Sequence, residues 1–199
     1  LYALDQELLA RLDPDIILTQ ELCDVCAISY DEVRKAVHRL DPARHEGKRT
    51  ILSLEPKTLD GILDTIAEVG EVTGARERAQ RLVESLHERI DGVAAAAAGA
   101  AYRPRVYCME WLDPPYTAGH WVPEMVRLAG GEDRLASEGA PSAEISWEAI
   151  ARYDPEVIVL MPCSFESAAA MSSSLASPSF TTASEKGILA CVARFMALS

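Results

Sequence analysis

The feature that most constrains this chain is an internal echo. Residues 7–18 read ELLARLDPDIIL, and residues 148–159 read EAIARYDPEVIV. Glu7 and Glu148, Ala10-Arg11 and Ala151-Arg152, Asp13-Pro14 and Asp154-Pro155, and Ile17 and Ile158 recur in register, 141 positions apart. Each copy predicts a helix that stops at Asp-Pro and gives way to a β-branched run. Proline cannot continue the helix before it, and β-branched residues suit a buried strand. A helix-to-strand unit used twice predicts two similar α/β lobes.

Further strands fit the same scheme. Thr50-Ile-Leu-Ser-Leu54 follows a turn-like His45-Glu-Gly-Lys48, and Arg105-Val-Tyr-Cys-Met109 follows Arg103-Pro104. Short apolar strands alternating with helices predict parallel sheets covered on both faces. Between the lobes, Leu59, Ile62, Leu63, Ile66 and Val69 mark one helix, interrupted at Thr73-Gly74. Ala79, Leu82, Val83, Leu86, Ile90 and Val93 mark a second, over 75 to about 97. Its length is on the order of 35 Å at about 1.5 Å per residue, enough for a strut between small lobes. The expected organisation is a partial N-terminal lobe over 1–72, a connecting helix over 73–100 and a partial C-terminal lobe over 101–163.

The remainder, 164–199, turns Ser- and Ala-rich, and its strand and turn punctuation fades. It is expected to be an atypical tail foreign to the fold, the alternative being a native flexible tail. The chain opens at Leu1 inside a helical pattern (Tyr2, Leu4, Leu8, Leu9, Leu12), so a fragment lacking its true start is expected. The lobes are then incomplete at both ends, and the missing signal peptide says nothing about compartment.

Composition removes several function classes. Thirty-one acidic against nineteen basic residues give a formal charge of −12. Phosphate backbones are bound by clustered Lys and Arg, so no nucleic-acid partner is expected. No apolar run reaches the roughly 18 residues of a membrane span. The signatures GxSxG, HExxH, GxGxxG and the P-loop are absent, so no catalytic residue and no catalytic cofactor is assigned. His38, His45 and His87 lie in polar contexts that suggest solvation.

Ligands of open α/β sheets sit beyond the carboxyl ends of the strands. Four such exits are legible: Thr19–Cys26, Glu55–Thr58, Glu110–Trp121 and Met161–Ser164. The third is the richest. Trp111, Tyr116 and Trp121 offer broad faces with polar tips, and Pro114, Pro115 and Pro123 restrict the backbone, so less order must be created on binding. Gly119 is expected to allow a turn that aims His120 outward. The set suits a large, flat, partly apolar ligand. The competing reading has Trp111 and Trp121 sealing the end of the core, with His120 capping the helix after it.

Cys23 and Cys26 form a Cys-x-x-Cys, one pair among five cysteines. Three readings are open: two small buried thiols, a metal or ligand contact completed by Cys163 or His120, and a thiol-disulfide pair.

Two longer stretches resemble a known family. VYCMEWLDPPYTAGHWVPEMVRLAGGEDRL, followed by ISWEAIARYDPEVIVLMPC, is similar to the C-terminal lobe of substrate-binding proteins for ABC importers of the cobalamin and iron-siderophore type, most of all the cobalamin-binding proteins. LDPDIILTQELCDVCAIS and ILSLEPKTLDGILDTIAEVG resemble the second half of their N-terminal lobe. The match covers roughly residues 1–163, and its specific part is the pairing of EWLDP…AGHW with CDVC.

The resemblance implies two Rossmann-like lobes joined by a long helix, the arrangement of class III periplasmic binding proteins. It implies a corrinoid or similar metal chelate held between the lobes as transported ligand, a membrane permease as partner, a monomer, and an extracytoplasmic place with or without a lipid anchor. Trp111, Tyr116 and Trp121 would pack on the ligand. Glu110 or Glu55 would accept hydrogen bonds from it, and His120 or a cysteine (Cys23, Cys26, Cys163) would approach its metal. Permease docking would fall to Asp31 or Glu32 in the first lobe and Glu124 in the second. The alternatives are a metal-binding protein using the same cysteines and His120, and a thiol-disulfide protein using Cys23 and Cys26.

Overall fold

The computed structural model describes residues 3–21, 28–40, 49–161 and 189–192. In chain order these form α1 (Gln6–Leu12), β1 (Ile16–Thr19), α2 (Tyr30–His38), β2 (Thr50–Ser53), α3 (Leu59–Val72) and α4 (Arg76–Ala98). Then come β3 (Val106–Leu112), β4 (Pro115–Thr117), α5 (Val122–Leu128), α6 (Trp147–Tyr153), β5 (Val157–Leu160) and β6 (Leu189–Val192).

The echo holds at the level of caps. Asp5 opens α1 by accepting from the Leu8 N–H at 2.8 Å. Ser146, at the equivalent position, opens α6 by accepting from the Ala149 N–H at 3.2 Å. Such side-chain acceptors satisfy one of the donors a helix start leaves free. Both helices end on an aspartate in the left-handed region, Asp13 at φ 44° and Asp154 at φ 53°. There the cap N–H reaches back to Leu9 O at 3.0 Å and Ile150 O at 3.1 Å. Aspartate tolerates this conformation better than most residues, and the proline after it blocks a further helical turn. An arginine just before the neighbouring strand then grips the capping carboxylate: Arg49 pairs with Asp13, and Arg105 with Asp154 at 3.3 Å. Each half of the chain thus repeats one helix–aspartate–strand–arginine device.

The described residues divide into two compact units, one taking 1–56 and 60–86, the other 57–59 and 87–199, with the boundary inside α4 between Leu86 and His87. In the first unit β1 and β2 pair in parallel, Ile16 opposite Thr50 through Thr19 opposite Ser53. Helix α2 buries Val33 and Ala36. Helices α3 and α4 touch where Gly70 meets Ala79; a Cβ at Gly70 would lie 2.3 Å from the Ala79 methyl. Gly74, at φ 72°, makes the turn between them.

The second unit holds a four-stranded sheet in the order β4-β3-β5-β6. Strands β3, β5 and β6 run parallel. Strand β4 folds back antiparallel on β3, so the sheet is mixed rather than wholly parallel as expected. Strand β3 is buried on both faces, and its residues alternate between two clusters. Tyr107 and Met109 join Ile150, Ile158 and Leu160. Val106 and Cys108 join Ala118 and Val122, with Val157 and Val159 packed alongside. This two-sided burial is why residues 106–109 read as an unbroken apolar run. Within 164–199, Leu189–Val192 forms strand β6 in register with β5.

Candidate functional site

The stretch that sequence marked as a loop leaving β3 is in large part β-hairpin. Strand β3 continues past Met109 to Leu112, and Pro115-Tyr116-Thr117 returns beside it. Leu112 faces Pro115, Trp111 faces Tyr116, and Met109 faces Thr117. Glu110 is therefore an extra residue, a bulge that bends the strand and re-aims Trp111 and Leu112. Pro115 can open β4 because β4 is an edge strand, where a missing N–H breaks no ladder.

Beyond the hairpin the chain is held by a segment that sequence analysis did not single out, residues 139–145. Thr117 N–H donates to Ala143 O at 2.9 Å, and Ile145 N–H to Pro115 O at 2.9 Å. His120 N–H donates to Ala140 O at 2.6 Å, and Gly139 N–H to His120 O at 2.8 Å. The segment contributes mainly backbone hydrogen bonds, so no apolar period announces it. The only cue in its sequence is its turn chemistry, Gly139 to Ser142.

Gly119 opens the expected turn, its carbonyl accepting from Val122 N–H at 3.1 Å, and it also serves close approach. A Cβ there would lie 2.2 Å from Ser142 N and 2.5 Å from Pro141 C. The positive φ belongs to the next residue, His120, at 55°. For a residue with a Cβ this region costs roughly 1–2 kcal/mol. The two backbone hydrogen bonds of His120 hold it there. Its imidazole lies against the Trp121 indole, ring centres 5.8 Å apart and planes at 36°. Among the described residues the ring nitrogens have no hydrogen-bond partner. Helix α5 starts from Trp121 without a side-chain cap, so His120 does not cap it.

The three aromatic residues differ in surroundings. Trp111 is 40% exposed, with its indole N–H donated to Asp113 O at 3.1 Å. Tyr116 is half-buried, and its backbone carbonyl accepts from the Tyr107 hydroxyl at 3.1 Å. Trp121 packs on the cluster of Val106, Cys108, Ala118 and Val122, so it supports the core edge as well as His120. Glu110, half-buried, accepts from the Ser142 hydroxyl, which ties the bulge to the segment that carries the loop.

The remaining candidates lie elsewhere. Glu55, exposed just after β2 in the first unit, accepts from Ser53 Oγ at 2.6 Å. Asp31 and Glu32 are exposed in the first turn of α2, with Asp31 3.2 Å from Arg34. Glu124 is more enclosed: its carboxylate accepts from Leu59 N–H at 2.9 Å and lies 3.7 Å from Arg127. Cys23, Cys26 and Cys163 fall outside the described residues, and so does His45. His38 and His87 are exposed. Among the described residues no group of three His, Cys, Asp or Glu side chains is placed to hold a metal ion, and no helix is long and apolar enough to cross a membrane.

Cys108 in β3 and the nearby Asp133 have perturbed acidity. Burial pushes the Cys108 thiol up to about 12, with the nearby Asp133 charge adding to it. Burial also raises Asp133 above the usual carboxylate range, against the opposing hydrogen bonds from Leu135 and Ala136 N–H. Its second oxygen, Oδ2, is buried without a hydrogen-bond partner among the described residues.

Residues 3–182 match the periplasmic binding protein family. A cobalamin-binding protein of Halobacterium salinarum is 29% identical over 159 residues, which is 77% of this chain but only 39% of the relative. The chain thus spans about two-fifths of the length of that relative. Among solved structures, the periplasmic vitamin B12-binding protein of Vibrio cholerae superposes with a TM-score of 0.66 at 21% identity, over 96% of this chain and 69% of the other. The IsdE protein of S. aureus, complexed with heme, gives 0.71 at 16% identity, over 94% and 71%. Those likenesses concern the fold, whereas the family match spans most of the sequence and runs into the Ser- and Ala-rich segment. The chain belongs to the periplasmic binding protein family.

Proposed function

We propose that the intact protein is an extracytoplasmic binding protein that captures a corrinoid or similar flat metal chelate and delivers it to an ABC importer. The observation that carries the reading is the hairpin surface at the carboxyl end of β3. It exposes Trp111 on a backbone stiffened by Pro114 and Pro115, with Tyr116 and His120 on the same short stretch. A rigid aromatic platform loses little freedom on binding. Each aromatic contact adds about 0.5–1.5 kcal/mol beyond area burial. Glu110 and Glu55 offer carboxylate acceptors for ligand amides. The family, and relatives named for cobalamin and vitamin B12, support the same ligand class.

Binding is tested by equilibrium dialysis of the intact protein against cyanocobalamin. Excess corrinoid absorbance on the protein side supports the reading; equal absorbance on both sides at micromolar protein rejects it. Permease docking is proposed for the exposed acidic pair Asp31 and Glu32, and on the second unit for Glu124, whose carboxylate is shared with Leu59 and Arg127. A variant replacing Asp31 and Glu32 by Ala should keep corrinoid binding and lose importer-dependent uptake; full uptake would exclude these residues.

A further inference from the structure

The Glu110 carboxylate has no basic partner among the described residues; the one group that bonds it there is the Ser142 hydroxyl. Glu110 is half-buried, and a carboxylate drawn partly out of water is ordinarily offset by a basic side chain. Neither 106–126, which holds the hairpin and its loop, nor 135–151, which holds the supporting segment, contains Lys or Arg. A serine hydroxyl orients a carboxylate without cancelling its charge. Ser142 is itself fixed. Its backbone N lies so close to Gly119 that a Cβ there would come within 2.2 Å. On either side of it, Ala140 O accepts from His120 N–H at 2.6 Å and Ala143 O from Thr117 N–H at 2.9 Å. The hydroxyl thus reaches the bulge from a backbone with little freedom.

Aromatic faces alone do not choose between flat chelates. A corrinoid rim carries amides, whose N–H groups donate, whereas a porphyrin rim carries carboxylates, which only accept. An uncancelled carboxylate tells them apart. It gains a charge-assisted hydrogen bond from the first and meets like charge on the second. Orientation matters, because a carboxylate left to turn into water has its charge screened. Resting on the corrinoid-binding function proposed for this chain, we infer that Ser142 is a positioning residue: it holds the Glu110 carboxylate toward the ligand, so that the hairpin takes amide-bearing chelates and turns away carboxylate-bearing ones. Affinity then comes from the aromatic surface, and selectivity from one oriented charge.

The test measures, by equilibrium dialysis on the intact protein, the Kd of cyanocobalamin and of its rim monocarboxylic acids, in each of which one propionamide has become a carboxylate. At least one acid should bind about tenfold more weakly than cyanocobalamin. Glu110→Gln, which keeps an acceptor and adds a donor, should remove that difference. Ser142→Ala, which keeps the charge but frees it, should reduce the difference by about fivefold. A loss of stability alone would move both Kd values together and leave their ratio unchanged. If every acid binds the parent as well as cyanocobalamin does, or if the difference persists in Glu110→Gln, the selectivity is overturned while the binding surface stands. A difference that vanishes in Glu110→Gln but stays whole in Ser142→Ala overturns the role of Ser142. If cyanocobalamin does not bind the parent, the corrinoid-binding function falls as well.

Discussion

Gly119→Ala tests the account of the loop most sharply, because its cost can be worked from the packing. The new methyl would sit 2.2 Å from Ser142 N, 2.5 Å from Pro141 C and 2.7 Å from Ala140 O. All three are backbone atoms, so no side-chain rotation relieves the clash. Restoring ordinary contact requires residues 140–142 to retreat by roughly an ångström, since crowded core sites yield only through such shifts. That retreat breaks the hydrogen bonds between His120 and Ala140 and between Gly139 and His120, and strains the one joining Glu110 to Ser142. At about 1 kcal/mol for each bond, the loss is about 2–3 kcal/mol. A gain of about 0.4–1 kcal/mol from the stiffer unfolded chain offsets part of it. The net, about 2 kcal/mol, lowers Tm by about 4–8 °C for a chain of this size. Gly92→Ala is the control: Gly92 lies inside α4 with nothing within 4 Å of a new Cβ. There the same change should raise stability by about 0.5–1 kcal/mol. Thermal unfolding monitored by circular dichroism reads both. An unchanged or raised Tm for Gly119→Ala would refute the close-approach argument.

Other outcomes concern buried groups in the second unit and one helix contact in the first. Cys108, 2% exposed and with its thiol pushed up to about 12, should resist iodoacetamide at pH 8 in the folded protein and react in urea, as read by peptide mass spectrometry. Labelling in the native state would place the thiol outside the core. Asp133 is raised by burial, so its protonated form is the one the fold favours. The stability this provides is fully present below the unfolded value of about 3.9 and is lost as pH rises through the higher folded value. Asp133→Asn keeps an oxygen for Leu135 and Ala136 N–H, so its stability relative to the parent should improve as pH rises above about 4. A difference that does not change with pH, measured by urea unfolding, would count against a buried charge. Gly70→Ala should destabilise the first unit, because the new methyl meets the Ala79 methyl at 2.3 Å; unchanged unfolding would contradict the α3–α4 contact.

Much of the fold was legible because it rests on local chemistry. Asp-Pro ends a helix wherever it occurs, and the echo carries that rule to both halves with one offset for cap, helix and strand. The run from Val106 to Met109 declared a two-sided buried strand. The hairpin was not legible, because three prolines in a short span read as a stiff loop. Proline at the start of an edge strand is compatible with pairing, but edge position is a property of the sheet and not of the residues. Gly119 was recognised for the turn it opens, but not for its close approach. Its neighbour takes the positive φ, and the need for glycine comes from a chain segment more than twenty residues away. The site's aromatic members were visible by type. What separates them, Trp111 exposed and Trp121 leaning on the core, depends on which face of the sheet each one lies against.

Trp111 is therefore the residue on which the binding claim turns. Its indole is exposed, and it belongs to neither buried cluster, so replacing it should spare the fold, whereas replacing Trp121 would disturb both. The decisive measurement is a fluorescence titration of the intact protein and its Trp111→Ala variant with cyanocobalamin, with Tm recorded for each. The account predicts saturable quenching near one equivalent in the parent, a Kd weakened by roughly tenfold in the variant, and matching Tm values. Equal affinity in the two proteins, or no quenching in the parent up to high micromolar ligand, would contradict the claim that this hairpin is a corrinoid-binding surface.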